Sequence, residues 1–235
     1  MAIKVDIEEL FKAGAHFGHK ANKWHPKMAP YIHSKRKGGH IINLETTVDA
    51  LEVALPLVTK AVREGGEVLF VATKTHLKGP VKDAAIDSGS PYVVERWFGG
   101  LLTNRATMMD RIKRLKMLEA KMENGEFASR YSKLEVQRLQ EELDGLEKQF
   151  GGIKEMKGLP KVAVVFDALS NKLAVNEAAK MGITVIAVCD SNVDPKNVDY
   201  IIPANDDATS GVTLIAGYFR DAVKAGQSEV KEEVK

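Results

Sequence analysis

The sequence predicts a parallel α/β sheet covered by helices on both faces and interrupted by an antiparallel helical hairpin. Three observations carry this. Apolar runs of strand length alternate with amphipathic runs of helix length through most of the 235 residues, the pattern of strand–helix–strand units. Three of those runs, "EVLFVAT", "KVAVVFD" and "ITVIAVCD", are apolar without alternation, as strands buried on both faces are. The alternation stops between residues 105 and 150, where two apolar seams at helical spacing replace it.

In chain order, "VDIEELFKAG" reads as a short helix with Ile7, Leu10 and Phe11 on one face and Gly14 as its stop. A basic segment follows, then "HIINL" as a short strand. "ETTVDALEVALPLVTKAVREGG" is a helix ending at Gly65. Pro56 lies inside it and predicts a kink or a break, because its ring removes one helical hydrogen bond. Strand "EVLFVAT", a helix within "HLKGPVKDAAIDSG" and strand "PYVVE" come next. After the hairpin the order is strand "KVAVVFD", helix "NKLAVNEAAKMG", strand "ITVIAVCD", short strand "DYIIP" and helix "DDATSGVTLIAGYFRDAVKAG". The tail "QSEVKEEVK" is short and charged and is expected to fray. The division is an α/β domain over 1–104 and 151–225, an inserted hairpin over 105–150 and a flexible tail over 226–235.

In the hairpin, Met108, Ile112, Leu115, Leu118 and Met122 form one seam, and Val136, Leu139, Leu143, Leu146 and Phe150 the other. Steps of three and four put each set on one helix face, as in a coiled coil. Ser132 and Glu135 have the spacing of a capping box, which starts the second helix. "RWFGGLLTN", residues 96–104, leads into the first. There Gly99 and Gly100 permit a tight turn, Thr103 or Asn104 is placed to cap the helix, and Trp97 and Phe98 are expected to wedge the hairpin root against the sheet. Arg96 is expected to reach a phosphate or to pair with Glu95 or Asp167.

The net charge of +2 hides an uneven distribution. Residues 10–44 contain no Asp or Glu but hold Lys12, Lys20, Lys23, Lys27, Lys35, Arg36 and Lys37, and five of the six histidines. Removing these seven charges leaves the rest of the chain at −5. A basic segment on an acidic body predicts a polyanionic partner, since each cation set against a phosphate releases counterions. Trp24, Pro26, Pro30 and Tyr31 within it argue for an ordered surface. Lys20, Lys23, Lys27, Lys35, Arg36 and Lys37 are expected to meet the phosphates of such a partner. Trp24 and Tyr31 are expected to pack on a sugar or base, with burial against the α/β domain as the alternative for Trp24. His25 and His33 are expected to donate to phosphate oxygens. The N-terminus lacks the apolar core of a signal peptide and no apolar run is long enough to span a membrane, so an intracellular protein is expected. Cys189, in an apolar run, is expected to be a buried thiol.

The sheet carries no enzyme signature. The segments after its strands, "KTHLKGP", "ALSNK" and "SNVDP", lack the glycine loop that cradles a phosphate, so no nucleotide cofactor is expected. Carboxylates stand there instead. Asp167 and Asp190 are placed to cap turns, and Asp206 or Asp207 to cap the last helix. Asp190, Asp206 and Asp207 are also candidates to converge with His19, or with His16 as the alternative ligand, around a zinc or magnesium ion. No nucleophile stands beside these histidines, so catalysis is not expected. A sugar-phosphate enzyme and an RNA-free adaptor built on the hairpin are the competing readings. The missing glycine loop weighs against the first and the acid-free basic segment against the second.

"LFKAGAHFGHKANKWHPKMAPYI", "HIINLETT", "RWFGGLLTN", "LPKVAVVFDALSNKLAVNEAAKMGI" and "PANDDA" follow one another in an order that resembles the bacterial ribosomal protein S-two family. The resemblance runs from about residue 7 to residue 225. It implies a Rossmann-like or flavodoxin-like domain with an inserted coiled-coil hairpin, no catalytic role and no required cofactor. It also implies a place where the head and body of the small ribosomal subunit meet. The implied partners are small-subunit rRNA, neighbouring ribosomal proteins and, in lineages that have it, protein S-one.

Overall fold

The computed structural model describes residues 3–127 and 131–233 of the chain. The amino-terminal part holds α1 (Ile7–Lys12), β1 (Phe17–Lys20), a 3-10 turn over Pro26–Tyr31, β2 (Ile32–Arg36) and β3 (Gly39–Ile42). The three strands form a small antiparallel sheet in the order β1-β3-β2. β2 and β3 are joined by Lys37 and Gly38, both at positive φ (46° and 82°), with Arg36 opposite Gly39. This two-residue turn matches the right-handed twist of its strands. The sequence pattern predicted only β3.

α2 (Leu44–Arg63) then leads to β4 (Val68–Val71), α3 (Lys78–Asp87) and β5 (Tyr92–Val93). α4 (Arg105–Glu123) and α5 (Lys133–Phe150) follow, and then β6 (Val162–Phe166), α6 (Lys172–Lys180), β7 (Thr184–Cys189), β8 (Tyr200–Pro203) and α7 (Thr209–Glu233). The second sheet is parallel throughout, in the order β5-β4-β6-β7-β8. Counting its own strands, that is 2-1-3-4-5, the flavodoxin-like winding that reverses between β4 and β6.

Every residue of β4 and β6 is buried, which is why these strands read as unbroken apolar runs. Their side chains alternate between two cores. Phe70, Val164 and Phe166 face α2, α3 and α7, where Phe219 meets the Phe166 ring edge-on at 6.4 Å. Val71, Ala163 and Val165 face α6 and the hairpin root. Full burial of a ring such as Phe166 or Phe219 contributes about 1.5–3 kcal/mol.

At Pro56 the break is absent, and the expectation for the tail is corrected. α2 runs unbroken through Pro56. Pro56 and Glu52 lie on the exposed side of the helix, so the carbonyl left without a partner can be hydrated, while Leu51, Leu55 and Val58 hold the other side in the core. The segment expected to fray from residue 226 is instead helical as far as Glu233. Gln227 donates to the Ser88 carbonyl at 2.7 Å, and Arg63 reaches Glu229 at 3.5 Å. Gly226 permits this packing, because a Cβ there would stand 2.6 Å from the Thr59 carbonyl.

The two seams meet. Ile112, Leu115 and Leu118 of α4 and Leu143, Leu146 and Phe150 of α5 are buried in one cluster. Arg114 of α4 clasps Glu142 of α5 through two bonds of 2.9 and 2.8 Å. Phe150, the last residue of α5, stacks on Phe98, just ahead of α4, at 5.6 Å, so α5 returns to where α4 begins. The Ser132–Glu135 capping box is present.

Candidate functional site

The amino-terminal sheet presents the basic segment. Lys20, Lys23, Lys35, Arg36 and Lys37 are exposed, and none has an ion pair among the described residues. Lys27 differs, bonding to Asp194 at 2.9 Å. His25 is half-buried. Its Nδ1 accepts from the Lys27 backbone at 3.3 Å and its Nε2 lies 4.0 Å from Asp194. His33 is exposed, while Tyr31 is half-buried and packs on the core around Met28. Trp24 is 40% exposed, its ring 5.5 Å from that of His40. Trp24 is therefore not sealed against the α/β domain.

This sheet is pinned to the carboxyl-terminal edge of the parallel sheet. The His19 amide donates to Ser191 Oγ at 2.9 Å and Asp190 Oδ1 at 3.2 Å, and the His25 amide to the Ser191 carbonyl at 2.8 Å. The approach requires Gly18, since a Cβ there would stand 3.0 Å from Ser191 Oγ and 3.2 Å from the His40 carbonyl.

At that edge lies a polar cluster. Lys74, after β4, sits 3.2 Å from Asp167, 2.8 Å from Asp206 and 3.1 Å from Asp207. Burial alone would lower its pKa, but the bonds and charges of Asp206, Asp167 and Asp207 overcome this and hold it above the usual lysine value. Burial and the nearby Asp167 charge push Asp206 up to about 7 against the pull of Lys74. Burial also opposes ionisation of Asp207, yet Lys74 and His19 bring its pKa below the usual value. His19 is raised by its bond to Asp190, against burial. Thr73 and Asn171 complete the filling with a 2.9 Å bond. This is the β4–β6 crevice, where flavodoxin-like sheets take their ligands. Here the protein's own ammonium group occupies it.

The candidate metal ligands are partly brought together. His19, Asp206 and Asp207 each offer an atom within 4.8 Å of the others. His19 Nε2 is 3.4 Å from Asp207 Oδ2, and Asp206 Oδ2 is buried without a hydrogen-bond partner. These donors fit a zinc or magnesium ion, histidine nitrogen favouring zinc. Asp190 has a different part. It faces the other ring nitrogen, Nδ1, at 2.9 Å, which orients the imidazole. The alternative ligand His16 is elsewhere, between the rings of Phe11 (4.4 Å) and Phe17 (4.0 Å). Asp167 caps its turn as expected, accepting from Leu169 and Ser170. Asp206 and Asp207 face Lys74 rather than capping α7.

Residues 10–226 match the family model described as Ribosomal protein S2. A protein of Chloroflexus aurantiacus called small ribosomal subunit protein uS2 is 45% identical over 222 residues, 94% of this chain and 93% of that one. Its namesake in Psychrobacter cryohalolentis is 46% identical over 224 residues, 95% of this chain and 84% of that one. The chain belongs to the ribosomal protein S2 family.

Family membership makes it a ribosomal protein rather than an enzyme. The "RWFGGLLTN" stretch is then best understood as architecture. Trp97 is buried and Phe98 half-buried in the hairpin-side core, as expected. The residue that organises the stretch is Glu177 of α6. Its buried carboxylate accepts from Trp97 Nε1 (3.2 Å), the amides of Gly100 (2.8 Å), Leu102 (3.1 Å) and Thr103 (3.3 Å), and Thr103 Oγ1 (3.2 Å). Burial would raise its pKa, but the bonds from Gly100, Leu102, Trp97 and Thr103 lower it overall. Thr103 is thus turned to Glu177, and Asn104, at the helix start, makes no side-chain cap bond. Arg96 is exposed and without an ion pair among the described residues. Glu95 is bonded to Lys78, and Asp167 to Lys74.

Proposed function

We propose that this protein is a structural constituent of the small ribosomal subunit, bound to small-subunit rRNA through its amino-terminal sheet. The observation that carries the reading is the set of five exposed cations, Lys20, Lys23, Lys35, Arg36 and Lys37, without carboxylate partners among the described residues. Trp24, His33 and Arg96 add an exposed ring and two further donors, with His25, Lys27 and Tyr31 at the margin. Five neutralised phosphates give a slope of log affinity against log salt of about −3.5 to −4.5. The reading places the protein at the head–body junction in the cytoplasmic ribosome, with neighbouring ribosomal proteins and, where it exists, protein S-one as partners. Among the described residues no helix is long and apolar enough to cross a membrane. The test is a sucrose gradient of cell lysate at low and high monovalent salt. Co-sedimentation with small subunits, partly released by salt, is expected; protein at the top of the gradient in both conditions would sink the reading.

The same reading includes a bound metal ion, zinc or magnesium, held by His19, Asp206 and Asp207 with Asp190 orienting His19. It supplies positive charge to a carboxylate-rich cluster and ties the amino-terminal sheet to the sheet edge. Metal analysis of protein purified without added ions is expected to find about one equivalent, lost in Asp206→Ala. Metal at background in the wild type would remove this part and leave the rRNA reading standing.

A further inference from the structure

We infer that the groove beside the hairpin mount is a second RNA-backbone site, continuous with the basic amino-terminal sheet. It rests on the rRNA reading above and extends it to residues far away in sequence. The groove, of about 770 Å³, lies between the loop after Trp97, α6 and the loop after β7. Lys172, Lys180 and Lys196 line it. All three are exposed, and none has an ion pair among the described residues. Its two carboxylates are both in use: Glu177 is buried under five donated bonds, and Asp194 is bonded to Lys27. The five donors on Glu177 are neutral and leave its buried charge in place, so the groove sets three ammonium groups without ion pairs against one inward carboxylate, a surplus of positive charge at its mouth.

Its chemistry selects phosphate rather than bases. No aromatic side chain lines it, so no stacking platform is offered. The side-chain amides of Asn176 and Asn197 bond to each other at 2.9 Å. Ammonium groups and amides contact a sugar–phosphate chain and fix its position without reading its sequence.

Continuity comes from the loop after β7. Its Ser191 carbonyl accepts from His25 at 2.8 Å, and its Asp194 holds Lys27 at 2.9 Å. Lys196 stands two residues beyond Asp194, where its backbone amide donates to the same carboxylate at 3.2 Å. The amino-terminal segment and the groove thus share one clamp, and an RNA strand lying on the first is led into the second.

The test compares three variants on small subunits depleted of this protein, using labelled protein and a range of monovalent salt. Lys172, Lys180 and Lys196→Gln remove the groove charges. Lys60, Lys161 and Lys224→Gln remove the same net charge from lysines already paired with acids. Lys20, Lys35 and Lys37→Gln weaken the amino-terminal face. The groove variant is expected to bind about 10-fold or more weakly, with a salt slope shallower by about 2 to 3. The paired-lysine control is expected to keep wild-type affinity and slope. Wild-type binding by the groove variant, beside a weakened amino-terminal variant, overturns this site and spares the rRNA reading. Equal losses in groove variant and control overturn it in favour of a general field effect. Weaker binding with an unchanged slope assigns the groove to a protein neighbour and overturns it too. A flat slope for the wild type removes the rRNA reading itself.

Discussion

Replacing Glu177 by alanine tests whether one carboxylate holds the hairpin mount. Five donors converge on it, but they are not equally sheltered. Trp97 Nε1 and the Leu102 amide belong to buried residues, Gly100 is half-buried, and Thr103 is exposed and can be rehydrated. An orphaned buried donor costs about 1–3 kcal/mol, so two of them give about 2–6 kcal/mol, with about 4 as the central expectation. Glu177→Gln keeps a carbonyl oxygen for Trp97 and Gly100 but turns an amide toward Leu102 and Thr103, so its loss is about half. The assay is urea unfolding followed by Trp97 fluorescence in a Trp24→Phe background. A fall in midpoint at constant slope separates lost stability from a changed unfolded state. The pH dependence has a definite sign. The folded pKa of Glu177 lies below its ordinary 4.5, so its contribution is complete above that value and is lost as pH falls through the folded value. The gap between wild type and Glu177→Gln therefore narrows in acid. A loss below about 1 kcal/mol in Glu177→Ala would refute the anchoring argument, because buried donors left without partners cannot be that cheap.

Other outcomes follow from the same geometry. Lys74→Met leaves Asp167, Asp206 and Asp207 without their shared cation and is expected to destabilise by about 3–5 kcal/mol in metal-free protein at pH 7. Urea midpoints for this variant should partly recover toward pH 5, since Asp206, already pushed up to about 7, then carries a proton. Gly18→Ala forces a Cβ to 3.0 Å from Ser191 Oγ and 3.2 Å from the His40 carbonyl; a loss of about 1–3 kcal/mol is expected, read as a lowered melting temperature. Cys189 is buried, and burial raises its thiol pKa well above the usual value. Labelling with iodoacetamide should therefore follow global unfolding, and rapid labelling of native protein would contradict its placement in the sheet.

The parts legible in the sequence were those whose signal is apolar. β4, β6 and β7 are buried on both faces, so their composition announces them. The hairpin seams are periodic and meet as their spacing requires, apart from Met122, which is 47% exposed near the end of α4. β1 and β2 gave no such signal. "FGHK" and "IHSKR" are half-exposed and polar, and main-chain pairing with β3 holds them. Glu177 was illegible for a different reason. It is one acid on an ordinary amphipathic helix, and its partners lie 74 to 80 residues away in the chain. Lys74 belonged to a segment notable in sequence only for lacking a phosphate-binding glycine loop. The place of Asp190 opposite His19 Nδ1 was illegible too, because which histidine nitrogen a carboxylate faces is a matter of rotamer and cannot be read from spacing.

The lysine in the β4–β6 crevice bears on how this protein behaves in a cell whose metabolite levels vary. A fold that fills such a crevice with a diffusible ligand gains RT ln(1 + [L]/Kd), so its folded fraction rises and falls with supply. Here the cation is tethered to the strand end, and its effective concentration never changes. Lys74 thereby removes the crevice itself from linkage to a metabolite pool and leaves only the neighbouring His19, Asp206 and Asp207 donors responsive to supply, through a metal ion.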